Sequence, residues 1–176
     1  MEKRKFLIVV DMQNDFIDGS LGSKEAEMIV DKVAEKIRGF EGEVIFTRDT
    51  HLPEYLETQE GRRLPVVHCV KDSPGWQIRE GLEAIRPCTV IDKPTFGSTE
   101  LGVLLTQRDL GEKIRAITVI GLCTDICVIS NALLIKAFLP ETPIIVDAAC
   151  CAGVTPESHR NALEAMKMCQ ITIENE

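Results

Sequence analysis

The chain has 176 residues, 44% hydrophobic and 27% charged, with a formal net charge of −8. That length supports one substantial core in a single domain over 1–176, and the composition excludes a disordered or membrane-spanning chain. Lys and Arg are scattered among acids, which argues against a nucleic-acid or anionic-membrane surface.

The N-terminal MEKRKFLIVVDMQNDF starts basic, but its apolar run is short and stops at Asp11. It reads as a first strand and not as a signal peptide. KFLIVVDM is continuously apolar, the pattern of a strand buried on both faces. SKEAEMIVDKVAEKIRG (23–39) places Ala26, Ile29, Val30, Val33, Ala34 and Ile37 on one helical face, with acids near its start and Gly39 as a stop. GEVIFTRD (42–49) predicts a second strand, and TVIDKP (89–94) a short third one stopped by Pro94. A helix follows over 98–111, with Ser98 or Thr99 as cap and Gly111 beyond its end. AITVIGL (116–122) predicts strand four, TDICVISNALLIKAFL (124–139) the helix behind it, and PIIVDA (143–148) strand five. TPESHRNALEAMKM (155–168) opens with Thr and Pro, a strong helix start, and QITIE (170–174) predicts the sixth strand.

Strands alternating with helices imply right-handed crossovers and a mainly parallel sheet covered on both faces. Ligands in such sheets sit beyond the carboxyl ends of the strands, where the strand order switches direction. Asp11, Asp49 with His51, Lys93, the Gly121–Cys127 segment and Asp147 all fall at predicted strand ends.

Cys127 falls in the first turn of the helix beginning near Thr124, where free backbone N–H groups and the helix dipole favour a thiolate. Lys93 adds positive charge that would lower the thiol pKa further. Asp11 either holds Lys93 or takes the thiol proton and returns it to a leaving group. The backbone N–H groups of Cys123 and Cys127 offer an oxyanion hole. The competing reading makes Cys127 a small buried core residue.

In DTHLPEYLETQEGRRLPVVH (49–68), Asp49 and His51 point to one side of an extended strand end. His68 returns to them after the loop, with Glu60 as a further ligand, although Glu54 and Glu57 are equally available. Mixed imidazole and carboxylate donors suit zinc, iron or manganese. His159, on a polar helix face, reads as solvated. Seven cysteines, an odd number without a secretion signal, suit free thiols in a reducing cytoplasm. Cys88 and Cys169 read as packing residues, and Cys150 and Cys151 as loop neighbours able to form a vicinal disulfide. Cys69 beside His68 is an alternative metal half-site, and the chain has no CxxC pair.

VVDMQNDF after the first strand, DKPTFGST after the third and GLCTDICV after the fourth closely resemble the three signatures of the isochorismatase-like cysteine hydrolases. RDTH and HCV look like the metal-binding strand end and loop of the nicotinamidase branch. The resemblance covers nearly the whole chain in order. It implies a three-layer, doubly wound, Rossmann-like α/β fold with a six-stranded parallel sheet in order 3-2-1-4-5-6. It also implies Asp11 as general base and acid, Lys93 as its partner and Cys127 as nucleophile. A non-proline cis peptide is expected before Cys123, whose N–H joins that of Cys127 in the oxyanion hole. Asp49, His51 and His68 match metal ligands, with zinc the expected ion. Glu60 resembles the carboxylate that some members use, and Phe16 an aromatic residue lining the substrate pocket. The family also implies self-association into a homo-oligomer. The chain departs from the branch at LPVVHC, which lacks the Trp of Trp-Pro-x-His, and at Asp72 and Ser73, which replace Gly-Thr. Trp76 stands nearby.

The expected activity is a cysteine amidohydrolase of nicotinamidase type, converting a small carboxamide to acid and ammonia through a thioester. An amidase or carbamoyl hydrolase on another small substrate is the alternative within the fold. Cys127 disfavours isochorismatase proper, whose vinyl ether needs no thiol. Gln13, where a second Asp would be required, disfavours a phosphohydrolase with an aspartate nucleophile. A non-catalytic small-molecule-binding domain predicts a Cys127 of ordinary reactivity, whereas a catalytic thiolate reacts faster with alkylating reagents near neutral pH.

Overall fold

A computed structural model describes residues 4–176. Strands β1 (Arg4–Val10), β2 (Glu43–Asp49), β3 (Thr89–Lys93), β4 (Ile114–Leu122), β5 (Ile144–Ala152) and β6 (Thr172–Glu174) form one sheet in the order β3-β2-β1-β4-β5-β6. Every neighbouring pair is parallel. The central β1 carries the run Phe6, Leu7, Ile8, Val9 and Val10, each fully buried, because helices cover both faces of the sheet.

The longer helices are α2 (Lys24–Gly39), α4 (Thr99–Gly111), α5 (Ile129–Phe138) and α6 (Pro156–Met168); α1 (Asn14–Ile17) and α3 (Gln59–Arg63) are short. α2 packs on β4 and β5 from one side, whereas α4, α5 and α6 pack together on the other. Right-handed crossovers running outward in opposite directions require this split. The direction changes between β1 and β4, so their carboxyl ends diverge into a crevice.

Local signals set the helix starts. Ser23 accepts a hydrogen bond from Ala26 N at the head of α2, and Ser98 from Leu101 N at the head of α4. Thr155 and Ser158 form a reciprocal capping box at α6, with Pro156 at its first position.

The carboxyl end of β5 differs from the sequence expectation. The strand continues to Ala152 through an irregularity, with Val119 paired to Val146 but Gly121 to Cys151. Asp147 therefore lies inside the strand and not at its end. Its carboxylate pairs with Lys36 Nζ at 2.6 Å and accepts from Asn175 Nδ2 at 3.0 Å, away from the crevice. Cys150 and Cys151 are buried strand residues with free thiols, not a loop pair, and Cys169 is exposed instead of packed.

Gly121 lets the end of β4 lie close against β1. It has φ +116, and a Cβ there would stand 2.1 Å from the Val10 carbonyl oxygen, on the strand it pairs with. Gly121→Ala should lower stability by about 3 kcal/mol or more, read as a shift in the urea midpoint. A midpoint equal to that of wild type would show that this close approach does not constrain the fold.

Candidate active site and metal cluster

Three strand ends and one turn meet in the crevice. Asp11 follows β1 with φ 47, a left-handed conformation that few non-glycine residues adopt. Its N–H donates to Thr47 O on β2, and Thr47 Oγ1 donates to Asp11 Oδ1 at 2.7 Å. Lys93, the last residue of β3, is fully buried. Its Nζ lies 2.6 Å from Asp11 Oδ2, 3.3 Å from Cys127 Sγ and 3.4 Å from Asp49 Oδ1. The first of these is a close ion pair without the alignment of a full hydrogen bond.

Cys127 sits in a π-helical turn, Thr124–Val128, that precedes α5. The Leu122–Cys123 peptide before it is cis, at the position expected from the resemblance. The Cys123 carbonyl accepts from Ile126 N and Val128 N, so it does not consume the Cys127 N–H between them. Asn131, fully buried on α5, ties the turn to the loop after β3. Its Nδ2 donates to Cys127 O at 2.8 Å and Phe96 O at 3.0 Å, and its Oδ1 accepts from Ser98 N at 2.9 Å. The sequence reading missed Asn131, although one amide among the apolar residues of a buried helix is a visible signal.

Burial shapes the electrostatics of this cluster. It raises the Asp11 pKa, a rise that the ammonium of Lys93 only partly offsets and the charge of Asp49 adds to. Burial alone would pull Lys93 down, but the charges of Asp11, Cys127 and Asp49 hold it up, so it stays protonated. The Cys127 thiol is pushed well above its ordinary value, first by burial and then by Asp11, with Lys93 opposing. This reverses the sequence expectation of a low-pKa thiolate. The helix start and the lysine were foreseen, but desolvation beside a carboxylate outweighs them, so slow alkylation near neutral pH no longer marks a non-catalytic Cys127.

Asp49 ends β2, and Gln13 holds it by both backbone groups. Gln13 Oε1 accepts from Asp49 N at 2.7 Å, and Nε2 donates to Asp49 O at 2.8 Å and Trp76 O at 2.9 Å. His51 follows, bridged in parallel to Val70, which brings in the segment carrying His68. Asp49 Oδ2 lies 2.9 Å from His51 Nε2 and 3.6 Å from His68 Nε2. Glu60 Oε1, on α3, lies 3.6 and 3.8 Å from the same two nitrogens. Tyr55, also missed from sequence, packs its ring 4.6 Å from His51 and 5.0 Å from His68 and donates from its hydroxyl to Leu64 O. Its hydroxyl pKa is pushed up to about 12, mainly by burial.

The cluster fits a divalent cation. Donor atoms of Asp49, His51 and His68 all lie within 4.8 Å of one another. His51 Nε2 is buried without an aligned hydrogen-bond partner. His68 Nδ1 stands 2.7 Å from Val66 O, so with its proton given to that carbonyl, Nε2 presents a lone pair to the centre. Two imidazoles with carboxylate oxygen suit a borderline ion. Cys69 lies outside this group: its thiol is buried and its N–H donates to Asp15 Oδ2 at 2.7 Å.

A cleft of about 1010 Å³ opens over both groups and is lined by Phe16, Leu64, Phe96, Ile126 and Val154 as well as Cys127 and the cluster. The Phe16 ring stands 5.5 Å from that of His68. Trp76 does not line the cleft and does not replace the missing ring. It is buried behind the cluster, donating to Thr50 Oγ1 at 2.9 Å beneath the Arg48 guanidinium. His159 is half-buried, not solvated, with Nδ1 at 2.7 Å from Thr124 Oγ1.

Residues 5–176 match the model of the Isochorismatase domain. The chain belongs to this family. Nicotinamidase/pyrazinamidase of Mycobacterium tuberculosis is 27% identical over 183 residues, covering 95% of this chain and 96% of that protein. Nicotinamidase of Saccharomyces cerevisiae is 23% identical, covering 96% and 98%. Among solved structures, the pyrazinamidase of Pyrococcus horikoshii in complex with zinc superposes with a TM-score of 0.82 at 30% identity, covering 98% of this chain and 99% of that one. Within the isochorismatase family the chain is therefore nicotinamidase-like, a hydrolase of amide C–N bonds.

A raised thiol pKa keeps Cys127 protonated at neutral pH and ionises it only as the pH climbs. Alkylation of Cys127 by iodoacetamide, followed by mass mapping of its peptide, should therefore be slow near pH 7. It should rise roughly tenfold per pH unit from there to beyond about pH 9. A plateau already reached below about pH 8 would contradict the burial argument.

Proposed function

We propose that this chain hydrolyses nicotinamide, or a close N-heteroaromatic carboxamide, to the acid and ammonia, with Asp11, Lys93 and Cys127 as the catalytic residues. The observation that carries the reading is the buried Lys93 Nζ, 2.6 Å from Asp11 Oδ2 and 3.3 Å from Cys127 Sγ, behind a cleft that Cys127 lines together with a metal-type cluster.

Asp11 takes the Cys127 proton as the sulfur attacks the carboxamide carbon. Its raised pKa makes it a stronger base than an exposed aspartate. The backbone N–H groups of Cys123 and Cys127 receive the tetrahedral oxyanion. Asp11 then returns the proton to the leaving nitrogen, and ammonia departs from a Cys127 thioester. Water, deprotonated by Asp11, hydrolyses that thioester and restores the thiol. Lys93 holds the Asp11 carboxylate in place and favours the thiolate as it forms.

Asp49, His51, His68 and Glu60 would hold zinc, with iron or manganese tolerated by the same donors, and Phe16 would lie against the substrate ring. The bound ion would supply a Lewis acid for the ring nitrogen of the substrate. A second reading, an amidase for another small carboxamide, is favoured by one observation: Leu64, and not Trp76, lines the cleft.

Zinc-loaded protein should release ammonia from nicotinamide. Cys127→Ala should lower kcat by about 10⁴-fold or more, while Cys123→Ala, which keeps the backbone N–H, should stay within about tenfold of wild type. No ammonia from nicotinamide but turnover of another amide would select the second reading. An active Cys127→Ala protein would remove the mechanism.

A further inference from the structure

The chain has three histidines, and one of them stands outside the metal cluster. His159 lies on α6, near its start. The capping box at Thr155 sets that start, and His159 N donates to Thr155 O at 3.0 Å. Its ring reaches back to the turn that carries Cys127, where Nδ1 stands 2.7 Å from Oγ1 of the fully buried Thr124. Thr124 is the first residue after Cys123, inside the stretch whose N–H groups are assigned to the oxyanion.

The approach of α6 to this turn is built into the backbone. A Cβ on Gly153 would stand 2.9 Å from both Cβ and the backbone N of His159, so only glycine lets the helix come so close. A second tie parallels the first: the carboxylate of Asp125 accepts from Val154 N at 3.1 and 3.2 Å. The turn is thus braced at two successive residues by the segment joining β5 to α6. His159 does not itself line the cleft, whereas Cys123 and Cys127 do. Any effect of the ring on the reaction must pass through Thr124.

We infer that His159 is a positioning residue that fixes the Cys123–Cys127 turn, and with it the oxyanion-binding N–H groups, by accepting the Thr124 hydroxyl proton at Nδ1. The charged neighbours of the ring are Asp125, which favours its protonation, and Arg160, which opposes it. Burial is the largest influence and lowers the pKa, so the ring is neutral near pH 7, and in the tautomer protonated at Nε2 its Nδ1 accepts. A misplacement of the turn on the ångström scale weakens the hydrogen bonds that strengthen only in the transition state, so the loss falls on kcat and not on KM. The inference rests on the amidohydrolase reading of the site.

Two substitutions separate this role from simple packing. His159→Leu keeps bulk and removes the acceptor, whereas His159→Asn places an amide group where Nδ1 stood. In zinc-loaded protein, His159→Leu should lower kcat for nicotinamide by about 10- to 100-fold with KM within about threefold, and His159→Asn should recover most of the loss. Hydrogen–deuterium exchange read by mass spectrometry should show faster exchange in the peptide 121–129 of His159→Leu, with other segments unchanged and protection regained in His159→Asn. Wild-type kcat and exchange in His159→Leu would overturn the inference. So would faster exchange throughout the chain that His159→Asn fails to correct, since that pattern marks a packing role. The exchange arm needs no turnover. Failure of wild type to hydrolyse any amide would therefore sink the proposed function while this inference is still decided.

Discussion

The structure of this site turns on a buried ammonium. Lys93 Nζ is cut off from solvent at the floor of the crevice, and burying an unpaired ammonium costs several kcal/mol. Asp11 meets it at 2.6 Å and Asp49 at 3.4 Å, so the carboxyl ends of β1, β2 and β3 are drawn to one point. Cys127 completes the shell at 3.3 Å from the turn after β4. The same contact links the two halves of the site. Asp49 offers one carboxylate oxygen to Lys93 and turns the other toward His51 and His68. A change at the metal cluster is therefore felt electrostatically at the thiol.

Much of this arrangement is legible in the sequence because the parallel sheet imposes a rule. Continuous apolar runs mark the strands, and the rule places chemistry at their carboxyl ends. Asp11, Asp49, Lys93 and the Gly121–Cys127 segment could be picked out on that ground alone, and the three motifs joined them into one family. Asp147 shows where the rule misleads. Cys150, Cys151 and Ala152 are small and apolar after it, so nothing in the pattern reveals that the strand runs on through an irregularity. What the polar residues that hold the site bind to was not legible either, although the amide of Asn131 in an apolar helix is itself visible. Thr47, Gln13 and Asn131 act through hydrogen bonds to groups 36, 63 or 33 positions away, and these exist only once the sheet is assembled. The direction of the Cys127 pKa belongs to the same class, because desolvation depends on the finished core.

What sets this chain apart from the motifs it shares lies around the Asp11, Lys93 and Cys127 group. Leu64 lines the cleft, and Trp76 is turned away from it to stack with Arg48. These differences concern how the bound molecule is contacted, and leave the Asp11, Lys93 and Cys127 geometry intact. The bracing of the Thr124–Val128 turn by Asn131 from one side and by His159 from the other indicates how the fold keeps that geometry narrow.

The central claim is that Cys127 becomes acylated during turnover. Acid-quenched samples of zinc-loaded protein turning over nicotinamide, digested and read by mass spectrometry, test it directly. The account predicts a pyridine-carbonyl group on the peptide carrying Cys127, absent from Cys127→Ala and from samples without substrate. Sustained ammonia release with that group on a different residue, or with none on any peptide at any quench time, would contradict it.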